Sequence, residues 1–360
     1  MLFIALSWAS IFLIARFLSS RVRGLIVKPF YIMYRLETSL SFLDSFATSR
    51  AASAYLALSP ALFVASAALF YYFVARMSLA TLSGAPSAGG LVPIIPGLTI
   101  RGLVALHVLI SIGLAALVHE VAHAVALKRF GVKIKSSGLL LAVVIPAAFV
   151  EPDERELTQR GLKQRTLVYS AGPASNLALA LALLLALSFI GGQAVGVEVL
   201  EVSEGGPAQR AGVQPGFVIL EINGTPIRTV EDLQRTVSFY RGCDVILELR
   251  GKTLRGEEAL YVIHKRADED LIGVTVRQAK AWNLPDELYY PIVDFLFYCY
   301  VINLSLAMIN AAPLFVTDGG RVMRDLLVRA LGERAGGTLS FFVQALTLLM
   351  VLTSIRLSPL

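Results

Sequence analysis

The chain has 360 residues, of which 56% are hydrophobic and only 16% charged, and its mean hydropathy is +0.69. Soluble globular domains carry about 25% charged residues, so this composition excludes a soluble protein and indicates a membrane protein. The net charge of +6 does not imply a nucleic-acid partner. Most basic residues lie in short loops between apolar segments, where they signal topology and face the anionic lipid of the bilayer.

Six segments are apolar and long enough to be interpreted as transmembrane helices, which need about 20 mostly apolar residues. They are residues 2–18, 51–74, 103–127, 167–190, 289–312 and 338–355. The first lacks the n-region and small-residue cleavage site of a signal peptide, so we expect it to be retained. The two cysteines lie one in a polar region and one in a span, which predicts no disulfide framework.

Lys and Arg residues are retained in cytoplasmic loops, and their distribution predicts the orientation of the chain. They are concentrated after the first span, in residues 128–165 and in residues 313–337, whereas residues 77–100 contain no charge. The three basic regions are therefore predicted to be cytoplasmic. By alternation, the loop at 77–100, residues 191–288 and both termini are predicted to be external.

Residues 195–277 differ from the spans in being rich in charged and β-branched residues, and they are numerous enough for a small domain. The pattern predicts several strands, a short helical stretch, a longer helix and the tight turn Asn223-Gly224. The short helical stretch is expected after Gly205-Gly206-Pro207 and the longer helix at 230–240, with strands before 205, before 223, and near 244–250, 258–264 and 271–277.

The run "GGPAQRAGVQPGFVILEINGTPI" resembles the PDZ domains of bacterial and organellar proteases, in the circularly permuted order. Such domains bind the end of an extended chain by strand addition. The resemblance assigns that binding to Gly196, Val197, Glu198 and Val199. The alternative is a degenerate domain that only fills space or obstructs access.

The third span contains "LAALVHEVAHAVALKRF", residues 114–130, in which polar residues interrupt an apolar run. His119 and His123 are four residues apart and share one helix face, while Glu120 projects about 100° away. This HExxH arrangement is typical of two zinc ligands beside the general base for a metal-bound water. The alternative is a pair of core histidines, but a glutamate at membrane depth costs a few kcal/mol unless it faces a hydrated cavity or a partner.

A catalytic zinc ion needs a third protein ligand, and Asp318 is the candidate. It lies in "INAAPLFVTDGGR", residues 309–321, just past the cytoplasmic end of the fifth span. Pro313 ends that helix, and Gly319-Gly320 allow a close approach to a neighbouring helix. A plain helix-ending turn would have the same composition. The predicted topology favours the ligand, because it places Asp318 at the membrane level of both histidines.

Two other histidines are excluded as ligands. His107 lies 12 residues before His119, which is about 18 Å along the same helix. His264 lies in the external domain. Asn303, seven residues before Asn310, is predicted to bond another helix rather than to line the cavity.

Three motifs in this order resemble the site-2 protease family of intramembrane zinc metalloproteases. They are HEVAH, AGPASN (residues 171–176) and NAAPLFVTDGGR (residues 310–321), and the resemblance covers about residues 103–325. It implies one Zn²⁺ ion bound by His119, His123 and Asp318, with Glu120 activating water. It further implies that Asn310 bonds the substrate or its oxyanion and that Gly172 and Asn176 pack the central helices together.

Two positions depart from the family pattern, neither of them a ligand or the base. The chain has Thr317 where the family usually has Leu, and Ala147 where it usually has Gly. The segment "AAFVEPDE", residues 147–154, also resembles the one that follows the family's membrane-associated hairpin.

The resemblance implies that the substrate is a transmembrane protein, cut within or near its span after an upstream site-1-type protease has acted. A transmembrane helix must unwind before attack, because its carbonyls are hydrogen-bonded. Residues 133–150 are too short for a span, and in the family the corresponding region forms a sheet that could clamp an unwound substrate. A re-entrant apolar loop is the alternative.

The expected fold is a polytopic α-helical membrane protein of about six spans, with a PDZ-like α/β domain between the fourth and fifth and a membrane-associated β segment. The expected regions are 1–102, 103–190, 191–288, 289–337 and 338–360. The expected function is intramembrane zinc proteolysis at the cell membrane, with the active site toward the cytoplasm. A non-proteolytic zinc-binding protein or transporter is the alternative, but it would not need Glu120.

Overall fold

The computed structural model describes residues 2–37, 40–83, 102–191, 196–254, 256–269, 271–280 and 285–354. It forms two compact units, one of Met1–Leu184 with Asp294–Leu360 and the other of Leu185–Val293. Most of the predicted external loop, at 84–101, lies outside the described residues, as do the linker residues 192–195 and 281–284.

The elements alternate between long apolar helices and short strands in the first half of the chain. They are α1 Leu2–Leu18, β1 Leu25–Lys28, β2 Tyr31–Leu36, α2 Asp44–Ala47, α3 Arg50–Leu82, α4 Gly102–Arg129, β3 Ile134–Ala142, β4 Ile145–Pro152, α5 Glu154–Gln159 and α6 Leu162–Gly191.

The second half begins with a strand-rich region and ends with three helices. The elements are β5 Val197–Val202, α7 Pro207–Arg210, β6 Val218–Ile222, β7 Thr225–Pro226, α8 Val230–Phe239, β8 Val245–Lys252, β9 Glu258–Lys265, β10 Val274–Gln278, α9 Asp286–Ala311, α10 Asp318–Leu331 and α11 Glu333–Ser354.

Five of the described helices, α3, α4, α6, α9 and α11, are long and apolar enough to cross a membrane. The architecture is that of a polytopic helical protein. The first predicted span forms α1, which has 17 residues and is shorter than the other five. The second predicted span extends well past residue 74, because α3 continues to Leu82.

A four-stranded antiparallel sheet lies in the first unit, with strand order β1-β2-β3-β4. The hairpin β3-β4 shows that residues 133–150 form strands and not a re-entrant loop. The hairpin β1-β2 was not expected, because its segment was interpreted only as a basic loop. Glu151 of β4 ties the sheet together, since it accepts hydrogen bonds from Arg35 of β2 and Ser136 of β3, both at 2.7 Å.

Helix α3 packs against α6 through buried polar contacts. The Tyr55 hydroxyl of α3 donates to the Ala171 carbonyl of α6, and the hydroxyls of Ser59 and Ser170 lie 2.9 Å apart. Both serines are fully buried, so these polar contacts hold the two helices at a defined rotation. The residues of α6 that α3 contacts, Ser170 and Ala171, immediately precede Gly172.

The second unit is an antiparallel sheet of order β10-β5-β6-β8-β9, with β7 paired to β6, and two short helices. Both predicted helical stretches, which form α7 and α8, and the predicted strands of this region are present. The turn between β6 and β7 has Asn223 and Gly224 at φ values of 49° and 78°, which is typical of a tight hairpin. Helix α8 begins with a capping box between Thr229 and Asp232.

Candidate metal centre

Three side-chain atoms from distant parts of the sequence meet in the first unit. The Nε2 atoms of His119 and His123 lie 3.1 Å apart, and each lies 3.2 Å from Oδ2 of Asp318. The three side chains are only 8%, 12% and 14% exposed. The structure therefore brings together the residues that the sequence predicts as ligands.

This triangle of atoms fits a zinc ion. Zinc–ligand distances of 2.0–2.1 Å in tetrahedral geometry place neighbouring ligand atoms about 3.3 Å apart, close to the three observed separations. Two imidazole nitrogens and a carboxylate oxygen are also a ligand set that catalytic zinc sites use. The residues present therefore fit the metal that the motif implies.

The other ring nitrogen of each histidine is held by α6. Nδ1 of His119 lies 2.7 Å from Oδ1 of Asn176, and Nδ1 of His123 lies 2.8 Å from the carbonyl oxygen of Val168. Metal-binding histidines commonly donate their second ring N–H to such acceptors, which orients the ring. Asn176 thus contacts a candidate ligand directly, a role that the expectation of helix packing missed.

Gly172 of α6 faces both imidazoles at close range. A Cβ atom at this position would lie 2.4 Å from Nε2 of His123 and 2.5 Å from Nε2 of His119. The absent side chain therefore leaves the space in which the two nitrogens converge. Sequence reasoning assigned Gly172 to helix packing and missed this contact with the centre.

Asp318 is placed by the turn that joins α9 to α10. Helix α9 ends at Ala311, and Thr317 caps α10 by accepting a hydrogen bond from the Gly320 amide at 3.2 Å. The Thr317 hydroxyl also donates to the Ala312 carbonyl at 2.5 Å. The residue that departs from the family pattern therefore fixes the helix start at which Asp318 lies.

Gly319 has no room for a side chain. Its Cβ would lie 2.2 Å from the Ala311 carbonyl oxygen. The close approach to neighbouring helices that the sequence predicted is confirmed, because Ala311 is the last residue of α9 and a Cβ at Gly320 would lie 2.9 Å from Oε1 of Gln344 in α11.

Glu120 lies beside the triangle and contacts β4. Its Oε2 accepts a hydrogen bond from the Val150 amide at 2.8 Å. Among the described strands, β4 pairs only with β3, so the Val150 N–H belongs to the edge of the sheet nearest the candidate base. Sequence reasoning did not identify Val150, because its contribution is a backbone atom.

A cavity of about 210 Å³ opens onto the triangle and onto Glu120. Asn310 lines it, with its amide Nδ2 donating to the Leu306 carbonyl of its own helix at 3.1 Å. The remaining wall is mainly apolar and aromatic, with one basic residue, and comprises Leu127, Val150, Pro152, Leu157, Val168, Tyr169, Val316 and Arg321.

The excluded histidines lie elsewhere. His107 is buried on α4, and its ring packs against Phe295 with centroids 5.9 Å apart. His264 is an exposed residue of β9 in the second unit. Asn303 bonds another helix as predicted, through a contact of 2.9 Å between its Oδ1 and Nδ2 of Asn176.

The structure corrects the expectation of strand addition at Gly196, Val197, Glu198 and Val199. The strand formed by these residues, β5, pairs with β10 on one side and with β6 on the other. The Gly196 carbonyl also accepts from the Ala279 amide at 3.0 Å. Neither edge is open at these positions, so an added strand would have to displace part of the sheet.

Comparison with known proteins adds an independent line of support. The family model for peptidase family M50 matches residues 107–352. The match includes most of α11, which the motif resemblance had left outside the shared region. The chain is 32% identical over 235 residues to protein MJ0971 of Methanocaldococcus jannaschii, covering 65% of this chain and 58% of that protein.

Two relatives bear functional names. The zinc metalloprotease RasP of Shouchella clausii is 22% identical over 257 residues, which cover 57% of this chain and 62% of RasP. The zinc metalloprotease Rip1 of Mycobacterium tuberculosis is 29% identical over 135 residues, which cover 31% of this chain and 33% of Rip1. The chain thus spans about three fifths of the length of the first two relatives.

Proposed function

Because this chain belongs to peptidase family M50, we propose that it is an intramembrane zinc metalloprotease of the site-2 type. It cleaves peptide bonds within or near the transmembrane segments of membrane proteins. The observation that supports this best is the triangle of His119, His123 and Asp318 with a carboxylate beside it. A protein that only stores or moves zinc has no use for the Glu120 carboxylate at that position.

His119, His123 and Asp318 would bind one zinc ion. When bound, zinc polarises the scissile carbonyl and lowers the pKa of water toward 7. Glu120 takes a proton from the attacking water and passes it to the leaving amine. The Asn310 amide, which lines the same cavity, donates a hydrogen bond to the substrate carbonyl oxygen as negative charge develops on it.

The edge of β4 that pairs with no other described strand receives the substrate in this proposal. An unwound transmembrane segment has unpaired backbone groups that are costly in lipid. Pairing with β4 as an added strand satisfies them. The Val150 amide lies on this edge and within hydrogen-bonding distance of Glu120, so a strand bound there lies next to the general base.

The positions of the basic loops support a multi-pass protein of the cell membrane with this site toward the cytoplasm and the second unit outside the membrane. The second unit acts as a PDZ-like domain that either docks substrates or excludes those with bulky ectodomains. Its partners are a transmembrane substrate, the lipid bilayer and an upstream site-1-type protease that shortens the substrate first.

The Glu120→Gln variant tests the proposed chemistry. We expect the purified variant to retain one zinc ion per chain, while cleavage of a single-span model substrate falls by about 10²–10⁴-fold, the usual contribution of a general base. The matched control is Glu231→Gln, the same change at an exposed pair in the second unit, which should cleave normally. Wild-type protein with chelator should be inactive.

Persistent cleavage by Glu120→Gln contradicts the proposal. Zinc flux into vesicles that is unaffected by Glu120→Gln, without any cleavage by the wild type, favours the transporter alternative instead.

Deletion of residues 195–277 tests the role of the second unit. A size filter predicts that full-length substrates with intact ectodomains become accessible to the variant. A docking domain predicts weaker cleavage of substrates that have already been shortened. Unchanged cleavage of both substrates contradicts both roles.

A further inference from the structure

A chain of buried hydrogen bonds extends from the candidate metal centre to helix α9. Oδ1 of Asn176 lies 2.7 Å from Nδ1 of His119, and Nδ2 of Asn176 lies 2.9 Å from Oδ1 of Asn303. Both asparagines are completely buried. Burying a side-chain amide costs free energy unless its polar groups form hydrogen bonds.

The direction of each hydrogen bond in this chain is set by two backbone carbonyls. Nδ2 of Asn176 contacts the Ala115 carbonyl at 3.0 Å, and Nδ2 of Asn303 contacts the Cys299 carbonyl at 2.8 Å. A carbonyl oxygen only accepts, so each amide must turn its NH₂ group toward that carbonyl. Oδ1 of Asn303 then accepts the second proton of Asn176, and Oδ1 of Asn176 is left facing His119.

We propose that Asn303 is a positioning residue that sets the tautomer and orientation of His119 through Asn176. An acceptor opposite Nδ1 requires that this nitrogen carry the proton, which leaves the lone pair of Nε2 for a metal ion. The inference rests on the proposed function, in which His119 binds zinc. It assigns a role to a residue of α9 that does not itself face the triangle of ligand atoms.

The comparison with His123 shows why His119 needs this relay. His123 donates directly to the Val168 carbonyl, whose oxygen can only accept a hydrogen bond. His119 faces a side-chain amide, whose oxygen and nitrogen exchange places when the amide rotates. Without Asn303, one N–H of the Asn176 amide loses its acceptor. The Ala115 carbonyl is then the one remaining acceptor that keeps the NH₂ group turned away from His119.

A merely structural role for Asn303 makes a different prediction. Helix α9 makes another buried polar contact, between Cys299 and Ser111 of α4 at 3.2 Å, which does not connect to His119 through side chains. Ser111→Ala therefore removes a buried polar contact of the same helix α9 and leaves the relay intact. It is the matched control for substitutions of Asn303.

The test measures zinc affinity of the full-length protein in detergent, by competition with a chromophoric chelator. Asn303→Leu and Asn303→Ala should each weaken zinc binding by about 10-fold, and Asn176→Ala by about 10–100-fold, the range typical of residues that orient metal ligands. The two substitutions of Asn303 change the side-chain volume in different directions. A loss that they share therefore follows from the missing acceptor.

The double variant gives the decisive comparison. If Asn303 acts through Asn176, Asn303→Leu should have no further effect on zinc affinity in the Asn176→Ala background. Ser111→Ala should stay within about 2-fold of the wild type, because it leaves the side-chain hydrogen bonds of Asn176 and Asn303 in place. Thermal unfolding of the metal-free proteins, measured in parallel, reports any loss of helix packing separately.

Two results overturn the inference. One is wild-type zinc affinity in both Asn303 variants, and the other is an equal loss in the presence and absence of Asn176. Either result leaves the proposed protease intact. A wild-type chain that binds no zinc, by contrast, refutes the proposed function itself.

Discussion

Replacing Gly172 with alanine places a methyl group where the two imidazoles converge. The new Cβ lies 2.4 Å from Nε2 of His123 and 2.5 Å from Nε2 of His119, whereas ordinary van der Waals contact begins at 3.4 Å. One or both rings must therefore move by about 1.0 Å. Zinc–ligand distances tolerate about 0.2 Å, so the three ligand atoms can no longer surround one ion at the normal distances.

We expect Gly172→Ala to weaken zinc binding by at least about 100-fold, the upper end of the range for residues around metal ligands, which is about 2.8 kcal/mol. Alanine is the better helix former by about 1 kcal/mol, so a general loss of helix stability cannot explain that result. Zinc per chain and chelator competition measure it.

The control for Gly172→Ala is Gly337→Ala in α11, where an added Cβ meets no atom within 4 Å. This variant should bind zinc as the wild type does. Wild-type zinc affinity in Gly172→Ala would show that the rings do not converge at this glycine, and would refute the reasoning.

Two further substitutions test local features of the two units. Thr317→Val keeps the shape of the side chain but removes the hydroxyl that caps α10. Thermal unfolding should therefore show a loss of about 1 kcal/mol in the free energy of unfolding, and zinc affinity should fall with it. The control is Thr158→Val at an exposed position, and an unchanged free energy of unfolding in Thr317→Val contradicts the capping role. In the second unit, hydrogen bonds from the Thr229 side chain and backbone lower the pKa of Asp232. Its stabilising effect is therefore complete above the unfolded pKa of about 3.9 and lost as the pH falls through the lower folded pKa. Asp232→Asn should make the acid-induced loss of amide protection in α8 smaller than in the wild type, and an equal loss in both proteins argues against this assignment.

The candidate ligand set could be predicted from sequence because it depends on simple periodicity and topology. Helical spacing places His119 and His123 on one face, and the basic loops place Asp318 at the same membrane level. These relations need no knowledge of side-chain contacts. The structure accordingly brings the three residues together at distances that suit one metal ion.

The contacts around the ligands could not be predicted in the same way. The space at Gly172 and the bond from Asn176 to His119 depend on how α6 is rotated against α4. That rotation is set by packing partners such as Tyr55 of α3, which lies outside the recognisable motifs. Sequence patterns identify a helix face more reliably than the neighbour that it meets.

Strand pairing was the least predictable feature. The alternation of residues that predicts β5 does not show whether its two edges are free. One edge is covered by β10, which begins at Val274, 77 residues after the start of β5. The hairpin β1-β2 was hidden for a different reason. Lys28 and Arg35 made its segment resemble a topology signal, although Arg35 in fact pairs with Glu151 across the sheet.

The distance along the chain between His123 and Asp318, 195 residues, also orders events during synthesis. A ribosome adding about 5–20 residues per second needs about 10–40 s to pass from one to the other. During that interval the nascent chain holds both imidazoles and the glutamate but lacks the aspartate. The candidate metal centre can therefore be completed only after the second unit has been translated, and a half-made chain lacks one of its three candidate ligands.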